Sequence, residues 1–394
     1  MPNLVDLLIA VLLIAALATG LSVGLFSVLG ALCGLVAGAL AAPWVLPWVA
    51  RALPESEWHG LIVIGSAVVL LLLGVSIGSA IGALVRRGAD RLRLRIVERM
   101  LGGLTALVAG TLAIAMTGAA VASAGVPVVS SAVASSVVLR TIDRYTPAPL
   151  AEAAARLHAL VLGDSVLPTI EGLLDPQDLD AAPDAGAIDI ATPEVRAAAA
   201  SVARISGVAH QCSTIPTGSG FVIAEDRILT NAHVVAGVDA PVVELPGEPA
   251  RDGRVVYFDP VDDIAVVAAD VDARPLALAD ALAAGDGGAV LGYPYGGPFR
   301  TVPAGVVSTV TAPVDDIYGQ TAADRGVYVL RSDINPGNSG GPLLTQDGGV
   351  VGMVFAKDQV KEDVGYAMTN DELLPVISGL DAAQERVATG ACIG

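Results

Sequence analysis

Residues Leu4 to Ala42 form one apolar stretch of 39 residues, with Asp6 near its start the only charge, far more than the core of an ordinary soluble domain can enclose. As a single helix it would measure roughly 58 Å, against about 30 Å for the hydrocarbon core of a bilayer. It must therefore cross, turn and return. Gly20 and Gly24, with Ser22 between them, mark the turn and divide the run into spans near 4–19 and 21–41. Apolar stretches near 60–85 and 100–125 bring the number of candidate spans to four, and they lift the mean hydropathy of the chain to +0.66. Pro43, Trp44, Pro47 and Trp48 read as an interfacial turn with both indoles at headgroup depth. A lipid bilayer is the first partner that the sequence implies.

Arginines orient this half. The loop between spans three and four carries Arg86, Arg87, Arg91, Arg93, Arg95 and Arg99, whereas 43–59 has Arg51 beside Glu55 and Glu57. The arginine loop is cytoplasmic by the positive-inside rule, which places everything after Gly125 on the outer face of a cell membrane. Glycines recur every fourth residue: Gly30, Gly34 and Gly38 in span two, Gly74, Gly78 and Gly82 in span three. Such faces let helices approach closely, either within the bundle, which is the expectation here, or between two copies of it.

The remainder divides into a connector, 126–192, and a β-rich region, 193–394. Leu150, Ala154, Leu157, His158 and Val161 share one face of a helix spanning 150–162. From 164 to 192 the composition turns to Asp, Pro, Ala and Gly, which reads as an exposed, flexible linker. Beyond it short β-type runs are separated by Gly and Pro with no long helical pattern, as in an all-β unit of two Greek-key barrels. This region carries 26 Asp plus Glu against 12 Lys plus Arg. Such a charge repels phosphate backbones, so nucleic acid is not an expected partner.

Chemistry concentrates at Asn335-Pro336-Gly337-Asn338-Ser339-Gly340-Gly341-Pro342, the form of a nucleophile on a tight turn. A serine hydroxyl needs an imidazole to take its proton and a carboxylate to orient that imidazole. His233, in Thr230-Asn231-Ala232-His233, and Asp263, opening Asp263-Ile264-Ala265, precede Ser339 by 106 and 76 residues. The order His, Asp, Ser is that of chymotrypsin. Asp262 is the neighbouring alternative; Asp263 is preferred because it abuts the apolar strand. Gly337 permits a turn in which its own N–H and that of Ser339 form an oxyanion hole. Cys212 and Cys392 bracket the β-rich region and suggest one disulfide in an oxidising compartment, while Cys33 lies in an apolar span. The four histidines are scattered and no metal-ligand spacing occurs, so neither a metal nor another cofactor is expected.

The membrane pattern, with its arginine loop followed by Met100-Leu101-Gly102-Gly103, resembles the colicin V production protein family. Gly218-Ser219-Gly220-Phe221-Val222, together with the His233, Asp263 and Ser339 blocks, resembles the chymotrypsin-fold bacterial serine proteases of the HtrA-like kind. The combination is similar to the mycobacterial membrane-anchored acid-resistance proteases. That resemblance implies a multi-pass inner-membrane, periplasmic serine endopeptidase acting on envelope proteins under acid stress. It also implies a specificity pocket walled by Asp333 and by Phe355, Ala356 and Lys357, with Asp333 either binding a basic side chain or satisfied locally. An exposed linker just ahead of a protease domain further suggests self-cleavage within 164–192.

Overall fold

The computed structural model describes residues 3–52, 59–89, 95–123, 129–147, 149–151, 153–156, 167–170, 173, 189–209, 211–212, 214–380 and 385–393. The loop 53–58, part of the arginine loop (90–94) and most of 157–188, including His158, lie outside them.

Helix α1 (Leu4–Val23) begins at Asn3, whose side chain accepts the amide of Asp6 while Asp6 accepts that of Asn3, a reciprocal cap. The reversal falls at Gly24 alone, at φ +81, where a Cβ would collide with the Glu98 carboxylate. Gly20, expected to share the turn, is instead helical: its missing Cβ leaves room for Gly102 and Ala106. Helix α2 (Leu25–Ala52) continues through Pro43 and Pro47, so the expected interfacial turn is helical. Each proline forgoes one backbone bond, and Trp44 and Trp48 are exposed on the helix surface. Helices α3 (His59–Ala89) and α4 (Arg95–Ser123) complete the set. All four are long and apolar enough to cross a membrane. Gly30 faces Gly78 and Gly34 faces Gly74, so closely that a Cβ on any of them would lie 2.0–2.2 Å from the opposing carbonyl oxygen. These glycine stripes therefore pack helix on helix within the bundle, as expected.

The second body opens with two helices that the sequence did not announce, α5 (Val129–Ala134) and α6 (Val137–Tyr145), the latter capped by Ser136. Of the helix expected over 150–162, residues 150–151 and 153–156 are helical, and the rest lies outside the described residues. Within the supposed linker, however, Leu167 is buried, and β1 (Thr169–Ile170) is paired into a sheet. The expectation of an exposed, flexible linker fails at 167–170. Leu167 supplies apolar surface that the surrounding Asp and Pro residues conceal in the composition.

Two seven-stranded sheets follow. The first, in the order β6-β5-β2-β3-β4-β8-β7, uses β2 (Val202–Ser206), β3 (Thr217–Ala224), β4 (Arg227–Thr230), β5 (Val242–Glu244), β6 (Arg251–Asp252), β7 (Arg254–Asp259) and β8 (Ile264–Ala268). The second runs β1-β13-β12-β9-β10-β11-β14 and closes on itself through β13–β14. Its strands are β9 (Gly287–Gly292), β10 (Arg300–Asp315), β11 (Ala322–Arg331), β12 (Pro342–Leu344), β13 (Val350–Asp358) and β14 (Val364–Thr369). Phe221, Leu229 and Ile264 of the first sheet share one apolar cluster with Leu291, Val329 and Phe355 of the second.

Cys212 and Cys392 are bridged. The tail is further tied by Gly237 N to Thr389 O (3.1 Å), Val387 N to Val255 O (2.9 Å) and Tyr318 Oη to Ala391 O (2.9 Å). Closing a loop of this length stabilises by roughly 5 kcal/mol on the chain-entropy estimate. Cys392→Ser in the full chain is accordingly expected to lower Tm by several degrees and to speed amide exchange in 385–393. An unchanged Tm would show that the hydrogen bonds alone hold the tail.

Candidate active site

Strand pairing assembles the site. Helical turn α7 (Pro193–Ala198) leads into β2, and a second turn, α8 (Ala232–Val235), follows β4 and carries His233. Antiparallel pairing of Thr230 with Ala265 brings this turn to the head of β8, where Asp263 sits at φ +54. The His233 ring Nδ1 lies 2.8 and 3.0 Å from the two Asp263 carboxylate oxygens, and its backbone N–H donates to Oδ1 at 2.9 Å. Asn231 Nδ2 donates to the Asp263 carbonyl at 2.9 Å, fixing the backbone of the unusual conformer. His233 and Asp263 are both buried. Asp262 is partly exposed, and its amide is bound by Asp259, so Asp263 is the carboxylate that meets the imidazole.

Ser339 lies on the turn between β11 and β12, held from three directions. Its carbonyl accepts from Ser219 N at 2.8 Å, Gly340 N donates to Val354 O at 2.8 Å, and Val354 N donates to Gly341 O at 2.9 Å. Gly340 has φ +81, and a Cβ there would lie 2.1 Å from Ser219 O. A Cβ on Gly218 would meet both Val234, next to His233, and the Ser339 carbonyl, so the two turns converge on β3. Ser339 Oγ and His233 Nε2 are buried and, among the described residues, neither has a hydrogen-bond partner. Interior polar atoms without partners are costly and uncommon. Here they leave a hydroxyl and an imidazole nitrogen available for chemistry.

Gly337 has φ +92. The carbonyl of the preceding Pro336 accepts from Tyr295 N at 2.5 Å. Because N–H and C=O of a trans peptide point opposite ways, this bond turns the Gly337 N–H away from Tyr295. The Tyr295 loop is itself anchored. Gly296 O accepts from Arg204 at 2.8 Å, and Arg204 forms a bidentate pair with Glu244 at 2.8 and 3.0 Å. Burial opposes the charge on Arg204, but Glu244, joined by Asp143 and Tyr293, outweighs it and holds the guanidinium above its ordinary pKa. Burial likewise pushes the Tyr293 hydroxyl up.

Ser219 stands out in the sequence only as part of a motif, yet its Oγ donates to Gly337 O (2.7 Å) and accepts from Tyr293 N (2.9 Å). The only signal for it in the sequence is the Gly-Ser-Gly setting. Arg204, Glu244 and Tyr295 had no such signal, since their partners are distant in the chain.

The expected pocket residues separate. Asp333 is exposed, and its carboxylate accepts from the Asn335 side chain at 2.9 Å, which is the local satisfaction left open above. Phe355 is buried, and Arg325 lies over its ring with the guanidinium carbon 5.9 Å from the centroid. Its ring belongs to the apolar cluster shared by the two sheets. Ala356 is also buried, and Lys357 is half-buried at the end of β13.

A family model described as "Trypsin-like peptidase domain" matches residues 218–353, and one described as "Colicin V production protein" matches 5–147. The serine protease Rv3671c of Mycobacterium tuberculosis (strain H37Rv) is 34% identical over 317 residues, 78% of this chain and 78% of its own length. The chain belongs to the trypsin-like serine proteases that carry a Colicin V production domain. A crystal structure of the Rv3671c protease in its active form superposes with a TM-score of 0.50 at 34% identity, covering 58% of this chain and 96% of that one. A probable periplasmic DegP-like serine endoprotease of Halomonas elongata is 36% identical over 176 residues, 43% of this chain and 34% of its own. This serine protease thus joins a domain of four apolar helices to a chymotrypsin-like, HtrA-type catalytic domain.

Proposed function

We propose that the protein is an extracytoplasmic, membrane-anchored endopeptidase in which Ser339 attacks the scissile carbonyl. His233 takes the serine proton and returns it to the leaving amine, and Asp263 orients the ring and stabilises the imidazolium. The N–H groups of Gly337 and Ser339 stabilise the tetrahedral oxyanion. The observation that carries this reading is the buried His233–Asp263 pair, with Nε2 left free, and an unpaired Ser339 hydroxyl on a glycine turn that meets the His233 turn at Gly218. The orientation rests on the arginine loop.

Envelope proteins are the proposed substrates, and the chain's own 164–192 segment is another, cut most readily in acid. That segment carries Asp164, Glu171, Asp175, Asp178, Asp180, Asp184 and Asp189, whose repulsion from an acidic domain weakens below about pH 5. One surface turn keeps its charge at such a pH. Donation by the Thr321 hydroxyl, with the amides of Gln320, Tyr318 and Thr321, holds the Asp316 carboxyl down to about 2. A depressed carboxylate contributes its full stability above the unfolded value of about 3.9 and loses it only as pH falls through the folded value. The turn that positions Tyr318 against the tail therefore persists at pH 5.

A fluorophosphonate should label the full chain and not Ser339→Ala. Incubation at pH 7 and pH 5 should yield new N-termini within 164–192 only where Ser339 is present. Cleavage that survives Ser339→Ala would overturn the self-cleavage assignment.

A further inference from the structure

We infer that residues 167–170, with Leu173 as a further anchor, act as an internal blocking strand, occupying the edge of β13 along which an extended substrate must lie. This rests on the reading of Ser339 as nucleophile. One edge of β13 is covered by β14 along Gly352–Lys357. The other edge begins against β12, where Met353 pairs with Pro342, and continues past the nucleophile turn through the Gly340 and Gly341 bonds to Val354. Lys357 follows three residues later, roughly 10 Å further at about 3.3 Å per residue. A peptide that presents a carbonyl to Ser339 in extended form thus lays its neighbouring residues against this stretch of edge.

That stretch is already taken. Thr169 pairs with Lys357 and Ile170 with Asp358, in parallel, with Lys357 N donating to Pro168 O at 3.0 Å and Gln359 N to Ile170 O at 3.1 Å. Exposed strand edges recruit extended segments through these same backbone groups. Side chains secure the segment. Leu167 is 8% exposed and belongs to the apolar cluster of Ile334, Leu343 and Val354, which flank the nucleophile turn. Ile170 and Leu173 pack on the neighbouring cluster that contains Ala356, Val364 and Tyr366. Leu173 N donates to Tyr366 Oη at 3.4 Å, and that hydroxyl donates to Asp358 Oδ2 at 2.7 Å. Burial alone would raise the Asp358 pKa, but the Tyr366 hydroxyl and the amides of Lys361 and Val360 bring it below its ordinary value, so the anchor stays charged in mild acid.

A substrate must displace this strand, and the displaced segment is the one proposed for self-cleavage. Blocking and cutting are then alternative states of the same residues. The test uses the full chain in detergent micelles, comparing it with Leu167→Ser/Ile170→Pro. The double variant should raise kcat/KM on a short fluorogenic peptide by about tenfold, since the competent fraction of the edge grows. A synthetic peptide of sequence SVLPTIEGL should inhibit it competitively. In the unaltered chain, a peptidyl phosphonate bound at Ser339 should abolish hydrogen-exchange protection of the Ile170 amide, the one that faces β13 in this parallel register. Continued protection of that amide in the inhibited chain would overturn the inference whatever the variant does. Fluorophosphonate labelling of both chains with equal kcat/KM would overturn the blocking strand alone; no labelling of either would overturn the proposed function beneath it.

Discussion

Replacing Ser339 by alanine is expected to lower kcat for peptide hydrolysis by about a millionfold, on the order of 8 kcal/mol of transition-state stabilisation, with the fold intact. The turn does not depend on the hydroxyl. Its backbone bonds, Ser219 N to Ser339 O and Gly340 N to Val354 O, remain in the variant. The lost Oγ has no hydrogen-bond partner among the described residues, so its removal leaves no donor or acceptor of theirs stranded. His233→Ala should cost about as much, and the double variant should be no worse than either single one, because residues acting as one device are not additive. The measurement is kcat by single turnover, with Tm recorded alongside. A variant with near-parental kcat and unchanged Tm would remove Ser339 from the chemistry.

The candidate catalytic residues were legible because each sits in a short motif whose glycines or apolar neighbours are local. Asp263 could be preferred over Asp262 from the Ile-Ala-Val run that follows it, and the structure places it there with Asp262 left partly exposed. What supports the site was not legible, because Arg204, Glu244, Tyr295 and Pro336 meet only after two sheets have formed. The same limit hid residues 167–170: a two-residue strand is too short for any periodicity, and Asp- and Pro-rich flanks mask one buried leucine. In the membrane half, Gly20 and Gly24 are equivalent as letters. Only the helix packed beside them, with Gly102 against one and Glu98 against the other, decides which is the turn.

Gly337→Ala is expected to lower kcat by about 10²–10³ while KM changes little, the effect of losing one oxyanion donor. Two constraints act on this position. Its φ of +92 is one that a Cβ disfavours, and the Cβ itself would lie 2.3 Å from Tyr293 O and 2.8 Å from Tyr295 N. The 293–296 loop cannot retreat freely, because Ser219 Oγ accepts from Tyr293 N and Arg204 holds Gly296 O. The peptide on the nucleophile side must therefore rotate, breaking the Tyr295 N to Pro336 O bond and swinging the Gly337 N–H out of line. The strain should also cost about 1–3 kcal/mol of stability. Arg204→Met separates the two consequences: it frees Gly296 O and loosens the loop without adding a Cβ to the turn. It should reproduce part of the fall in kcat, while fluorophosphonate labelling of Ser339 slows in proportion. Near-parental kcat in Gly337→Ala would show that the N–H of residue 337 does not face the reacting oxygen. Loss confined to KM would place it in substrate binding instead.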